Sequence, residues 1–300
     1  MEPILHGEVL TPCHLYSGEE AVAVGLCSAL FKDDYVFGNH RSHGHFLAKG
    51  GSMKAMAAEI YCRESGCSRG RGGSMHLIDT DVGMMGSAPI VAGTISLAVG
   101  AALASSIRDD GRVSVCFFGD GATGEGVLYE SLNFAALKKL SIIFACENNL
   151  YATHMPIREC RVNQPIRRIA EPFGIDNHAV DGNDVLQVYD ASLLAVENCR
   201  RGNGPVFMEF MTYRCRGHVG PDDNVQGLHT DIRPPDELDR WLAKDPIKRL
   251  EHYLLERGLM DEPALQHIRE EAAHEVREAI AYAHNSPRPK REEFTDHVFA

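Results

Sequence analysis

The chain lacks any apolar run near the roughly 18 residues that a membrane-spanning helix needs, and Met1-Glu2-Pro3 does not open a secretory signal. A cytoplasmic location is therefore expected. Basic excess is missing as well: 30 Lys and Arg stand against 42 Asp and Glu, a formal charge of −12. Nucleic acid and anionic membranes select the opposite sign, so neither is an expected partner. There is no Cys-x-x-Cys pair, internal repeat or low-complexity segment. The nine cysteines, among them Cys27, Cys116, Cys146 and Cys199, sit mostly in apolar segments, as reduced thiols serving as small core hydrophobes do. Three hundred residues with 44% apolar content suffice for one large α/β domain with a helical appendage, not for two catalytic modules.

The most informative stretch is Val113–Tyr151, VSVCFFGDGATGEGVLYESLNFAALKKLSIIFACENNLY. Val113 to Phe118 is a β-branched and aromatic run that stops at Gly119, and Ser141 to Cys146 has the same character; both read as buried strands. Between them, Val127, Leu128, Leu132, Phe134, Ala135 and Leu137 recur at helical spacing and end on Lys138 and Lys139, cations suited to a helix C-terminus. Strand, loop, helix and strand in this order form a right-handed parallel crossover. Asp120 and Asn149, each just past a strand, should then emerge at the carboxyl edge of one sheet, where open α/β sheets bind ligands.

Gly119–Gly124 also fits the G-x-G-x-x-G pattern of dinucleotide sites, with Glu147 as a candidate ribose-binding acid. A carboxylate at Asp120 would repel a pyrophosphate held against that loop. A bridging cation removes the conflict, because Asp120 and the Asn149 side-chain carbonyl are hard oxygen ligands suited to octahedral Mg²⁺.

Gly119-Asp120-Gly121 with Glu147-Asn148-Asn149 resembles the thiamine diphosphate signature, and the 29 positions between Asp120 and Asn149 are similar to the spacing in alpha subunits of two-subunit 2-oxo acid dehydrogenases. The resemblance, over roughly residues 13–285, implies the family's fold: a three-layer, mostly parallel sheet with helices on both faces. It also implies thiamine diphosphate and Mg²⁺ as cofactors, with Asp120, Asn149 and the Tyr151 carbonyl on the metal and the backbone of Gly121 and Ala122 toward the diphosphate. A beta subunit, plausibly in an α₂β₂ assembly, would bring the glutamate that activates the pyrimidine, and a lipoyl-bearing acyltransferase would accept the acyl group. A two-subunit thiamine lyase or carboligase would carry the same motifs. An NAD-binding oxidoreductase is disfavoured by Asp120.

The remaining segments are read beside that resemblance. Asn39–Gly50 holds His40, His43 and His45, which taken alone suggest zinc, although no Cys/His pair completes a four-ligand site. The segment resembles the family loop whose Arg grips the diphosphate, which implies Arg41 for that task, with His40 standing where Tyr is common. His14 is either a substrate-side residue, as the resemblance implies, or a loop histidine. Ser17 with Glu20 reads as a capping box. Gly70–His76, GRGGSMH, resembles a family loop and is expected to shape the mouth of the site. Ile90 and Val91 are either pyrimidine contacts, as the resemblance implies, or core. Arg214–His218 follows a final strand at 206–213 and resembles the family's Tyr-Arg-x-x-Gly-His, placing His218, with Arg214 as a second candidate, against the diphosphate and the reacting carbon. Residues 219–235, rich in Gly, Pro and Asp, are expected to be a mobile loop able to order over bound cofactor. Helices are expected near 237–257 and 262–284, so the chain divides into a cofactor domain at 1–235 and a helical extension and tail at 236–300.

Overall fold

A computed structural model describes residues 2–162, 165–220 and 233–296. In chain order the strands are β1 (Tyr35–Gly38), β2 (Met84–Ser87), β3 (Ser114–Gly119), β4 (Ile142–Asn148), β5 (Tyr151–Ala152), β6 (Met155–Pro156), β7 (Asp176–Asp181) and β8 (Val206–Met211). The helices are α1 (Glu2–Leu5), α2 (Glu20–Ser28), α3 (His43–Ala48), α4 (Met53–Ile60), α5 (Gly93–Arg108), α6 (Gly126–Lys138), α7 (Ile157–Cys160), α8 (Val185–Arg200), α9 (Pro235–Leu242), α10 (Pro246–Glu256) and α11 (Glu262–Asn285).

Six strands form one sheet in the order β2-β1-β3-β4-β8-β7, and every pairing in it is parallel. The continuous apolar runs of β3 and β4 follow from burial on both faces. Val115, Phe117, Ile143 and Ala145 point into one core with α2 and α8, while Cys116, Phe118, Ile142 and Phe144 point into the other with α5 and α6. Helices therefore cover both faces, as the expected three-layer architecture requires. The expected strand–helix–strand unit is present as β3, α6 and β4, with Lys139 in the left-handed conformation that ends α6.

Two boundary expectations need correction. Helix α2 starts at Glu20 with Glu19 in the cap position; Ser17 lies outside it, and Glu20 accepts the Gly18 N–H at 2.9 Å. The helix expected over 237–257 is two helices, because Asp245 caps a new start by accepting from Ile247 and Lys248, and Pro246 has no N–H to continue the first. The helix expected near 262–284 is α11, which packs along α4 with Ala279 buried and Ala283 in one cluster with Val9, Ala58 and Tyr61. Most of the loop expected over 219–235 lies outside the described residues.

The chain runs from β1 out to β2 at one edge and returns to place β3 on the other side of β1. The reversal makes the carboxyl ends of β1 and β3 a topological switch point, the place where an open parallel sheet leaves a crevice.

Candidate active site

A cavity of about 360 Å³ occupies this switch point. Its wall takes Asn39, His40 and Arg41 from the end of β1, Asp120, Gly121 and Ala122 from the end of β3, and Glu147, Asn149 and Tyr151 from the end of β4. Arg214 and His218 arrive from beyond β8, His14 from the segment before α2, and Ile90 and Val91 from the loop entering α5. Thus every residue that the family resemblance implied for cofactor, metal or catalysis lines one cavity, although the stretches that supply them are far apart in the chain.

Asp120 opens a single 3-10 turn, Asp120–Gly124, and is 1% exposed. Its Oδ1 accepts the Gly121 N–H at 2.8 Å, whereas its Oδ2 is buried with no hydrogen-bond partner among the described residues. Burial pushes this carboxyl up to about 7, opposed by backbone N–H groups and by the charge of Arg214. An orphaned carboxylate oxygen facing a polar cavity is what a hard cation would satisfy, and the Asn149 side chain adds a second hard oxygen. A Cβ at Gly121 would sit 3.0 Å from that of Ala152, so any side chain here would push that neighbour by a few tenths of an ångström. The residues present therefore fit an Mg²⁺ bridging to a phosphate.

Two buried carboxylates organise the site: Glu19, which escaped the sequence reading, and Glu147, which was weighed there only as a ribose-binding acid. Glu19, 1% exposed, pairs with Arg41 Nε at 3.4 Å and accepts the Asn149 Nδ2 at 3.0 Å, so it orients both. Burial pushes its carboxyl upward against the pull of Arg41. Arg41 also donates to the carbonyls of Leu15 at 2.7 Å and His218 at 3.3 Å, which fixes its planar fork. Glu147 gathers the Tyr16 hydroxyl, His45 Nε2 at 2.8 Å and Asn39 Nδ2 at 3.1 Å. The only sequence signal for Glu19 was its charge at the head of the apolar run Ala21–Leu26.

The histidine-rich segment does not converge on one ion. His43 bonds Ser74 at 2.8 Å and His45 bonds Glu147 and Ser42, so only His40 faces the cavity. Zinc at His40, His43 and His45, already disfavoured for want of a fourth ligand, finds no support: on α3, His43 and His45 are drawn to different partners. His40 instead meets His14 and His218, with ring centroids 4.6 Å from His14 and 5.4 Å from His218. Burial first, and the Arg41 guanidinium second, depress His14 to about 4, His40 to about 3 and His218 to about 2. All three imidazoles are neutral at physiological pH. Ile90 and Val91 are 74% and 51% exposed, so they belong to the cavity rim and not to the core.

The glycine-rich loop is shaped from beneath. Glu59, fully buried on α4, accepts the backbone N–H groups of Ser68, Gly70, Gly72 and Gly73 at 2.7–3.0 Å. Gly70 holds φ +72°, where a Cβ would lie 2.7 Å from the Arg63 carbonyl oxygen. Glu59→Gln would turn an amide NH₂ toward two of these donors. With each lost charge-assisted bond worth about 1.5–3 kcal/mol, the expected destabilisation is roughly 3–6 kcal/mol, read from the denaturant midpoint. A midpoint within about 1 kcal/mol of the parent would rule out this organising role.

Fold and crevice together define the class: a three-layer parallel α/β protein with a cavity at its topological switch point that is lined by both polar and apolar side chains. The chain belongs to the dehydrogenase E1 component family, whose model matches residues 7–292. It is 39% identical to the alpha subunit of acetoin:2,6-dichlorophenolindophenol oxidoreductase of Bacillus subtilis over 286 residues, 95% of this chain and 84% of that one. It is 38% identical to the pyruvate dehydrogenase E1 component alpha subunit of Porphyra purpurea over 98% of this chain and 86% of the relative. The corresponding Rhizobium meliloti subunit is 38% identical over 95% and 80%.

Proposed function

We propose that this chain is the alpha subunit of a thiamine diphosphate- and Mg²⁺-dependent 2-oxo acid dehydrogenase. Together with a beta subunit it would decarboxylate a 2-oxo acid, or cleave acetoin, and pass the acyl group to a lipoyl carrier. The observation that carries the reading is the unpartnered Oδ2 of Asp120, buried at the end of β3 in a cavity shared with Asn149 and Arg41. The acetoin variant is kept because a relative 39% identical is named for that substrate.

When bound, thiamine diphosphate supplies a nucleophilic thiazolium carbon and a sink for the electron pair released as CO₂ leaves. Asp120, Asn149 and the Tyr151 carbonyl would hold Mg²⁺; Arg41, His40, His218 and the backbone at Gly121 and Ala122 would face the diphosphate. Glu19 keeps Arg41 and Asn149 in position. Ile90 and Val91 would pack against the pyrimidine, excluding water from it. His14 lies beside His218, ring centroids 5.0 Å apart, and would face the substrate. His218 would accept or return a proton at its ring nitrogen, its depressed affinity raised by the negative diphosphate beside it. We read residues 1–235 as the cofactor domain and 236–300 as a helical extension and tail, and the location as cytoplasmic, in keeping with nine free cysteines.

His218→Ala should leave folding intact and lower turnover by on the order of 10²–10⁴, the contribution of a positioned acid–base group. Steady-state assays with the beta subunit present check this; near-normal turnover would remove His218 from the mechanism. Assaying the paired subunits against a panel of 2-oxo acids and acetoin, with lipoyl and dye acceptors, tests the function as a whole. Failure with every member of the panel would sink it.

A further inference from the structure

We propose that Glu237 on α9 is a positioning residue for the metal-binding turn, acting through the side chain of Tyr151. The inference rests on the function proposed above, which places the Tyr151 carbonyl on Mg²⁺. The turn is not one that the chain adopts freely: Leu150 at φ +72° and Thr153 at φ +58° flank Tyr151 and Ala152, and both carry side chains in the left-handed region. Such a conformation persists only where its surroundings over-determine it. Part of the hold is local. The side-chain oxygens of Asn148 and Asn149 accept the N–H groups of Leu150 at 3.2 Å and Tyr151 at 3.3 Å, the Leu150 carbonyl accepts the Ile157 N–H at 2.8 Å, and the Thr153 carbonyl accepts Arg214 Nη2 at 2.7 Å. The bond to the Tyr151 N–H is the longest of the four, so the residue bearing the metal-binding carbonyl is the least fixed by these bonds.

Its side chain supplies the rest. Tyr151 is buried, and its hydroxyl donates to Glu237 Oε1 at 2.7 Å. The same oxygen accepts the hydroxyl of Tyr213 at 2.9 Å, and Tyr213, fully buried, immediately precedes Arg214. One carboxylate oxygen thus ties the turn after β4 to the segment after β8, which are the two stretches that bring Asn149 and Tyr151, and Arg214 and His218, to the cavity. Burial first, and the bond to Glu237 second, push the Tyr151 hydroxyl up to about 12, so it stays a donor at physiological pH. Helix α9 is itself firmly seated. Trp241 stacks on the Tyr213 ring at 5.3 Å and 6°, and the buried Arg233 donates to the carbonyls of Arg214 at 2.6 Å and Arg216 at 3.0 Å. Glu237 is not among the residues lining the cofactor cavity; it borders a neighbouring one of about 460 Å³, and so reaches the metal only through Tyr151.

The test is titration of the assembled alpha and beta chains with Mn²⁺ in the presence of thiamine diphosphate, with free Mn²⁺ read by electron paramagnetic resonance. Mn²⁺ takes the same oxygen ligands as Mg²⁺. Tyr151→Phe, which keeps the carbonyl, and Glu237→Ala should each weaken Mn²⁺ binding by about 10- to 100-fold, the usual cost of losing a partner that orients a ligand. Because both act through one bond, the double variant should bind no more weakly than the weaker of the two single ones. Turnover should recover toward the parent's at saturating Mg²⁺, since the ligand is displaced and not lost. Asp236→Asn, which removes an exposed charge from the same helix, should leave the affinity unchanged. A thermal melt identifies a variant that does not fold, and the other single variant then decides. Parent-like Mn²⁺ affinity in a folded single variant, or effects of the two that simply add, would overturn the positioning role and leave the proposed function standing. A parent assembly that binds no Mn²⁺ alongside the cofactor would sink that function, and this role with it.

Discussion

Asp120→Asn is expected to abolish tight binding of thiamine diphosphate while leaving the ligand-free chain as stable as before, or more so. The two effects share one cause. In the folded chain the Asp120 carboxylate is buried, with one oxygen lacking a hydrogen-bond partner among the described residues, and burial pushes it up to about 7. An uncompensated buried charge destabilises the fold, so a neutral amide of nearly the same shape relieves that cost. The same substitution removes the one formal charge offered to Mg²⁺ by the proposed ligands. Removing one partner of a buried charge pair costs about 2–5 kcal/mol, a fall in affinity of roughly 30-fold to several thousand-fold. Calorimetry with Mg²⁺ and the beta subunit present measures the binding, and a thermal melt of the chain alone measures the stability. Unchanged cofactor affinity would eliminate Asp120 as a metal ligand.

The second large effect is that of the partner subunit. Without it, turnover should be undetectable; with it, a heterotetramer should form and decarboxylate a 2-oxo acid. The described residues contain one six-stranded parallel sheet and a two-stranded hairpin, hence no second α/β module to place a carboxylic acid against the far side of the pyrimidine. Apolar side chains at the cavity mouth are exposed: Ile90 is 74% and Val91 51% accessible, and Leu97, early in α5, is 59% accessible. Exposed apolar side chains at the mouth of a cavity mark an interaction surface. Loss of the activating acid alone should remove at least the 10²–10⁴ of a positioned acid–base group. Native mass measurement and a decarboxylation assay, each run with and without the beta chain, decide the question. Full activity from the isolated chain would end the split-site reading.

Much of the cofactor edge was legible because it is local in sequence. β3 is continuously apolar from Val115 to Phe118 and β4 from Ile142 to Cys146, which identifies strands buried on both faces, and chirality then sends Asp120 and Asn149 to the same edge. The short strands β1 and β2 were not located from the sequence: four residues each give too little periodicity to separate them from loop. The break between α9 and α10 was legible in principle, since Asp245-Pro246 is a helix-start signal, but continuous helical spacing on both sides concealed it.

The sequence by itself determined the parallel α/β class and the edge at which Asp120 and Asn149 emerge, because those follow from patterns a few residues long, while the other candidate residues came from the family resemblance. Tertiary structure alone decided which charges serve the cavity. Glu19 meets Arg41 and Asn149 across 22 and 130 positions, and Glu59 cages a loop up to 14 residues away. Likewise, of the three neighbouring histidines only His40 joins His14 and His218, since helix α3 turns His43 and His45 toward Ser74 and Glu147. Buried polar groups must find partners wherever the fold brings donors and acceptors together, and no local pattern encodes which distant residue that will be.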